Sequence, residues 1–119
     1  DLVAAGFTVA QLDAQPIVQV GEWFREHCAG PDGWSLTVRL LDGAGLVITE
    51  QTLSGVTTGP RDDCAGVDDT WQEVTTSFSS YGPGLRTLEF VDGGVDGEFW
   101  AGHYGIWMDD AVLSLNNPP

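Results

Sequence analysis

The strongest constraint on the fold comes from an alternating segment, residues 34–40, and the turn that follows it. Every second side chain is large and apolar: Trp34, Leu36, Val38 and Leu40. The residues between them are polar or charged, which is the period of a strand with one buried face. Residues 42–45 (Asp-Gly-Ala-Gly) tolerate the backbone of a tight turn. Residues 46–53 then return antiparallel, so the segment predicts a β-hairpin.

The rest of the chain also reads as short strands separated by turns. Glycine (16) and proline (6) recur throughout, and β-branched and aromatic residues cluster in short runs. Only residues 1–13 suit a helical turn. The other predicted strands are residues 16–24, 71–78, 85–91, 104–108 and 111–115. Seven or so short strands without a long helix indicate an all-β fold, an antiparallel β-sandwich of jelly-roll type. A length of 119 residues suits one domain over residues 1–119.

The charge balance excludes several classes of partner. The chain has 18 acidic residues against 4 basic ones and a net charge of −14, so it repels nucleic acid and anionic lipid. No apolar run approaches the ~20 residues of a membrane span. A solvated surface is the simplest interpretation of the acids. A Ca²⁺ site is the alternative, since three acid pairs occur and oxygen-rich loops bind Ca²⁺. The pairs are Asp62-Asp63, Asp68-Asp69 and Asp109-Asp110. No EF-hand spacing is present, so no cofactor is predicted.

The two cysteines, Cys28 and Cys64, lie in polar loops rich in glycine and aspartate. Free structural cysteines prefer burial. The antiparallel hairpin places the start of its first strand beside the end of its second, so both cysteine loops should leave the same end of the sheet. We therefore expect a disulfide and a secreted or extracellular protein. Two separate thiols in a cytoplasmic protein are the alternative.

A pair of aromatic residues, Phe99 and Trp100, follows a segment rich in glycine and acid. We read that segment as a loop, which offers the rings few apolar neighbours, so at least one ring should face solvent. A sugar presents an apolar C–H face that stacks on such a ring, and hydroxyls that bond to carboxylates. Asp96 and Glu98 are nearby acceptors. The alternative places Trp100 in the core at the start of a strand and leaves the acids simply solvated.

Catalysis has weak support in the sequence. Glycosidases need two carboxylates at a defined separation, and 18 acids offer many chance pairs. His27 and His103 are the only histidines, and no Gly-x-Ser-x-Gly nucleophile elbow accompanies them. The chain is therefore predicted to bind rather than to catalyse, with a hydrolase as a third and weaker interpretation.

A set of residues in the last third of the chain follows a family pattern. They are Tyr81-Gly82-Pro83-Gly84-Leu85-Arg86, Phe90, Gly93-Gly94, Asp96, Phe99-Trp100, Gly102 and Gly105. Together with earlier matches such as Gly6-Phe7, Trp23 and Trp71, they resemble the F-box-associated domain. In the sugar-binding F-box subunits of ubiquitin ligases, this domain is the part that recognises glycoproteins. The resemblance runs along nearly the whole chain.

The resemblance implies an antiparallel β-sandwich of the galactose-binding-domain-like kind. It also implies a pocket at one end of the sandwich for the GlcNAc–GlcNAc (chitobiose) core of N-linked glycans. In sugar-binding members an aromatic–Trp pair makes the main contacts, and those positions match Phe99 and Trp100. An acidic residue before the long alternating strand also takes part, and it matches Asp32.

Three departures from the family pattern bear on function. Ala101 stands where the family has a lysine, which removes a hydrogen-bond donor. The family's domain begins well before Asp1, and no F-box is present to recruit ubiquitination machinery. We therefore expect a lectin-like domain that binds glycans or glycoproteins. A protein-interaction domain of the same fold without a sugar site is the alternative.

Overall fold

The computed structural model describes residues 1–27, 32–57, 71–97 and 105–116. Within these ranges it contains one short helix and six strands. They are α1 (Val9–Asp13), β1 (Ile17–His27), β2 (Gly33–Leu41), β3 (Val47–Val56), β4 (Gln72–Phe78), β5 (Thr87–Val95) and β6 (Gly105–Asn116). The predicted all-β sandwich is confirmed. The one described helix has five residues, and no described helix is long and apolar enough to cross a membrane.

Two antiparallel sheets of three strands make up the fold, in the orders β4-β1-β6 and β3-β2-β5. The predicted hairpin is present as β2 and β3, which pair from Gly33↔Val56 to Leu41↔Val47. Its turn is held by Asp42, whose Oδ1 accepts hydrogen bonds from the N–H groups of Ala44 and Leu46 at 2.8 and 2.9 Å. This short Asx-type turn sets the register of the hairpin.

The alternating face of β2 forms the centre of the core, as expected. Leu36, Val38 and Leu40 are fully buried. Trp34 packs against this cluster and stacks on Phe24 of the facing sheet, with ring centroids 5.1 Å apart. A β-carbon at Gly55 would lie 2.7 Å from the Trp34 ring, so glycine makes room for the indole.

The predicted strands at residues 104–108 and 111–115 are one continuous strand, β6. The described residues therefore form six strands where seven or so were expected. The acidic pair between them does not end the strand, because Asp110 adopts a φ of +51° and the pairing with β1 shifts between Gly21 and Trp23. Such a β-bulge absorbs an extra residue while the strand continues.

The expectation of a glycine-rich loop from residue 92 is also wrong, since β5 runs through Gly93 and Gly94 to Val95. The glycines serve close packing rather than a loop. A β-carbon at Gly94 would lie 1.6 Å from Cγ2 of Ile106 in the other sheet. Glycine inside a strand commonly marks such a close approach.

We call the end of the sandwich with the two short connections, residues 42–46 and 79–86, the closed end. There Tyr81 donates its hydroxyl hydrogen to the Pro16 carbonyl at 2.7 Å. The N–H of Gly84 donates to Asp13 Oδ1 at 3.1 Å, and Arg86 Nη1 lies 2.7 Å from the same oxygen. The hydrogen bond from Arg86 lowers the pKa of the Asp13 carboxyl. These contacts attach the family's best-matched motif to the start of the chain.

The expected helical turn near the N-terminus is confirmed as α1. Thr8 caps it, and Thr8 and Gln11 form a reciprocal capping box. Its Leu12 is fully buried in the core. The helix and the 79–86 connection thus cover the closed end from two sides.

Candidate functional site

The opposite end of the sandwich, where β1, β3 and β5 finish and β2, β4 and β6 begin, is called the loop end. The register brings these strand termini together: Gly33 pairs with both Val56 and Val95, and His27 pairs with Gly105. Three connections, which contain residues 28–31, 58–70 and 98–104, join the strands here. These residues lie outside the described ranges, together with Cys28 and Cys64, so the disulfide stays a prediction.

A buried polar cluster joins β1 to the hairpin at the loop end. The N–H of Asp32 donates to the Thr57 hydroxyl at 3.0 Å, and the N–H of Thr57 donates back to the Asp32 carbonyl at 2.9 Å. The Thr57 hydroxyl in turn donates to Glu26 Oε2 at 2.7 Å. All three residues are at most 9% exposed. A hydrogen-bonded polar cluster of this kind fixes the relative positions of its strands.

Asp32, the acidic residue matched to the family's pocket, has a definite position. Its Oδ1 accepts a hydrogen bond from the N–H of Gly97 at 2.9 Å, and its side chain is buried. Gly97 directly precedes the connection that carries Phe99 and Trp100. Asp32 therefore ties the beginning of that connection to the start of β2.

Asp96 also precedes this connection in sequence, but it lies beside the residue that follows the connection, Gly105. A β-carbon added to Gly105, the first residue of β6, would be 3.9 Å from the β-carbon of Asp96. The structure thus brings Asp32 and Asp96 to the two ends of segment 98–104. Glu98, Phe99 and Trp100 lie outside the described residues, and their roles remain predictions.

The sequence reading missed a buried acid, Glu22, which is 2% exposed. Burial, followed by the neighbouring Asp92 carboxyl, raises the pKa of Glu22 to about 7. Its Oε2 has no hydrogen-bond partner in the described part of the chain. Glu22 occupies an inward position of β1 between Val20 and Phe24, so strand alternation was the signal that could have revealed it.

Trp23, Trp71 and Trp107 lie on the outer face of the β4-β1-β6 sheet rather than in its core. The Arg25 guanidinium sits over two of them, 4.9 Å from the ring centroid of Trp71 and 4.8 Å from that of Trp107. Trp23, two residues before Arg25, is half-buried on the same face. The cation–π contacts with Arg25 stabilise Trp71 and Trp107 on this outer face.

The Ca²⁺ alternative gains no site in the described residues, where no group of three or more metal-ligating side chains occurs. The Asp109 carboxylate accepts a hydrogen bond from the N–H of Asp110 at 2.8 Å. The other two acid pairs, at residues 62–63 and 68–69, lie outside the described ranges.

Comparison with known proteins agrees with the resemblance in the sequence. The model of the family described as "F-box associated region" matches residues 1–115. Human F-box only protein 44 is 30% identical over 99% of this chain and 45% of its own length. Rat F-box only protein 6 is 33% identical over 98% of the chain and 40% of its own length. Bovine F-box only protein 2 is 35% identical over 95% of the chain and 37% of its own length. The chain thus spans less than half the length of these relatives.

The relatives correct the expectation of a secreted or extracellular protein. They are F-box only proteins, which are cytoplasmic ubiquitin-ligase components. The expectation rested on two cysteines in polar loops, and such placement alone does not identify an oxidising compartment.

Proposed function

The chain belongs to the F-box-associated family, and on that premise we propose that it binds the sugars of glycoproteins at its loop end, without a chemical step. The sugar-binding F-box only proteins 2, 6 and 44 recognise glycoproteins through this domain. The finer proposal is recognition of GlcNAc-containing glycans, in particular the chitobiose core of N-linked glycans.

The proposed contacts come from one connection. Trp100 stacks on the apolar face of a sugar ring, and Phe99 packs beside it. Asp96 and Glu98 accept hydrogen bonds from sugar hydroxyls. Amphipathic rings flanked by acceptors suit a ligand whose surface alternates C–H and O–H groups.

The observation that supports this proposal most is the hydrogen bond from Gly97 N–H to Asp32 Oδ1. A binding connection gains affinity when it is held before the ligand arrives, because less conformational entropy is lost on binding. Asp32 is buried and linked to β3 through Thr57. We therefore assign Asp32 a positioning role, holding the start of the segment that presents the aromatic pair.

The electrostatics restrict the ligand further. A net charge of −14 disfavours sialylated or sulfated sugars and favours neutral ones. A single shallow site of this kind binds weakly, so tight binding to a glycoprotein would need several copies of the domain or of the glycan.

Titration calorimetry with chitobiose tests the proposal. Trp100→Ala should lose about 2 kcal/mol or more of binding free energy, as expected for an aromatic anchor. Trp107→Ala is the matched control, because it removes an exposed indole from the outer sheet face. Chitobiose binding that survives in Trp100→Ala would exclude Trp100 from the site.

The second candidate function is protein interaction without a sugar site. The alanine at position 101, where the family has lysine, favours it. A glycan array probed with and without Ca²⁺ separates the two. If no glycan is bound under either condition and a stable protein partner is captured, the sugar proposal is wrong.

A further inference from the structure

The outer face of the β4-β1-β6 sheet carries a groove of about 510 Å³. Three rows of paired residues, one from each strand, run across it. The first row is Ser77, Gln19 and Ser114, the second is Thr75, Gly21 and Val112, and the third is Glu73, Trp23 and Asp109. In the third row it is Asp110, the neighbour of Asp109, that lines the groove. Its volume lies within the range of ~300–1,000 Å³ that is typical of small-molecule sites.

The groove is concave because its central residue has no side chain. Gly21 lies in the middle of the middle strand, between Gln19 and Trp23 on the same face. A β-carbon there would be 3.4 Å from Cγ2 of Thr75 and would begin to fill the space. The pairing of β1 with β6 shifts between Gly21 and Trp23, and Asp110 has a positive φ of 51° at this bulge. Bulges commonly change the direction of a side chain.

The lining is rich in groups that both donate and accept hydrogen bonds. Hydroxyls come from Thr75, Ser77 and Ser114, and an amide comes from Gln19. Trp23 contributes a half-buried indole. Glu73 and Asp110 add two carboxylates, and none of the described residues that line the groove is lysine or arginine.

This chemistry disfavours two classes of ligand. Phosphates, sulfates and other anions are repelled by the two carboxylates and by the net charge of −14. An extended peptide is usually held through unpaired backbone groups at a sheet edge. Here β1 is paired on both sides, with β4 and with β6, so its backbone offers nothing to a peptide in the groove.

We infer that this groove is a binding site for a neutral oligosaccharide. One ring stacks on Trp23, and the hydroxyls bond to Gln19, Thr75 and the carboxylates of Glu73 and Asp110. At ~3.3 Å per strand residue, Gly21 lies roughly 20 Å from the end of β1 at His27. The Arg25 stack with Trp71 and Trp107 occupies the face between them. The groove is therefore a second site, and it does not depend on the proposed loop-end site.

Amide chemical-shift mapping on the whole chain tests the inference. The probes are cellohexaose, chitohexaose and mannopentaose, three neutral oligosaccharides, with a lysine-rich decapeptide as the alternative ligand. At least one sugar should shift the amides of Gly21, Thr75 and Val112. Gly21→Val should then weaken that binding by about tenfold or more, since it fills the space that the ring occupies.

The variant is suited to the test because valine favours strands and Gly21 does not require a positive φ. Ser54→Val, on an exposed position of the opposite sheet, is the matched control and should bind as the wild type does. Trp100→Ala should leave the shifts at Gly21 unchanged, which separates this groove from the loop end.

Two results would overturn the inference. One is the absence of shifts at the groove with all three sugars at millimolar concentration. The other is shifts produced by the decapeptide alone, which would make the groove a site for basic peptides. Loss of chitobiose binding in Trp100→Ala has no bearing on either result, so the two proposals fail independently.

Discussion

The two ends of this sandwich are built on different principles. At the closed end the buried side chains are apolar, including Leu2, Leu12 and Leu85. Its 79–86 connection is bonded to Asp13 and Pro16 near the start of the chain. At the loop end the interior buries Glu26 and Asp32 instead, and Glu22 is buried in the middle of β1. Buried carboxylates cost stability unless each is paired or protonated.

The contrast shows where stability and binding are separated. The closed end carries the family's clearest motif, yet that motif is occupied with hydrogen bonds to residues 13–16. The loop end carries the buried polar cluster of Glu26, Asp32 and Thr57. Glu22, whose pKa is raised, lies in the middle of β1 between the two ends. A strong motif in this fold therefore marks the scaffold, and the weaker pattern around residues 96–100 marks the proposed site.

Gly94→Ala should produce the largest effect. Its new β-carbon would overlap Cγ2 of Ile106, so the sheets must separate near the loop end. We expect a loss of about 3 kcal/mol or more in unfolding free energy, measured by urea denaturation. Gly43→Ala at the closed end is the control, because its β-carbon would be 3.5 Å from Arg86 Cγ, an ordinary contact. Equal stability of the two variants would remove close packing as the reason for Gly94.

Glu22→Gln tests the cost of the buried acid. With a pKa raised to about 7 from 4.5, the folded state holds a proton that the unfolded state has lost between these pH values. Wild-type stability therefore falls as pH rises from 4.5 to 7, by on the order of 3 kcal/mol. Glutamine is neutral at every pH, so the stability of the variant does not fall in this way. The unfolding free energy of Glu22→Gln relative to the wild type should therefore be higher at pH 8 than at pH 5.

The measurement is the difference in unfolding free energy between wild type and Glu22→Gln at pH 5 and pH 8. Glu73→Gln, on the exposed outer face, serves as control and should show a small, nearly constant difference. If the difference in unfolding free energy between wild type and Glu22→Gln is the same at both pH values, ionisation of the buried Glu22 does not destabilise the folded state.

Asp32→Ala should affect both stability and binding. It leaves the N–H of Gly97 without its acceptor, at a cost of about 1–3 kcal/mol. If the loop end binds chitobiose, affinity should also fall. Asp32→Asn keeps an oxygen acceptor and should restore most of the stability and most of the chitobiose affinity. Failure of asparagine to restore affinity while stability recovers would assign the Asp32 charge a direct role in the sugar contact.

Tyr81→Phe gives the smallest expected change. It removes the hydroxyl that donates to the Pro16 carbonyl, which is worth about 1 kcal/mol. Because this contact lies at the closed end, chitobiose affinity should equal that of the wild type. A weakened affinity in this variant would mean that the two ends are coupled.

Much of the scaffold could be predicted from the sequence, because alternation and turn chemistry are local signals. The β2–β3 hairpin and its Asp42 turn followed from them directly. The single strand β6 did not, since Asp109-Asp110 resembles a turn until the pairing with β1 is known. The glycines of β5 misled in the same way: only the position of Ile106 shows why Gly94 is needed.

The candidate site was predictable only in part. Asp32 and Asp96 were identified from the sequence, and the structure places them at the two ends of one connection. The hydrogen bond between Asp32 and Gly97 joins residues 65 apart in sequence, so no local pattern reveals it. The Trp71–Arg25–Trp107 stack likewise needs three strands to be aligned.

The described chain starts and finishes on the same side of the sandwich. Leu2 donates its N–H to the Arg86 carbonyl, and Asn116 of β6 pairs with Ile17. A tether attached through either terminus would therefore hold the domain with the loop end directed away from the support. The same geometry suits immobilisation on a sensor surface, where ligands in solution would meet the loop end first.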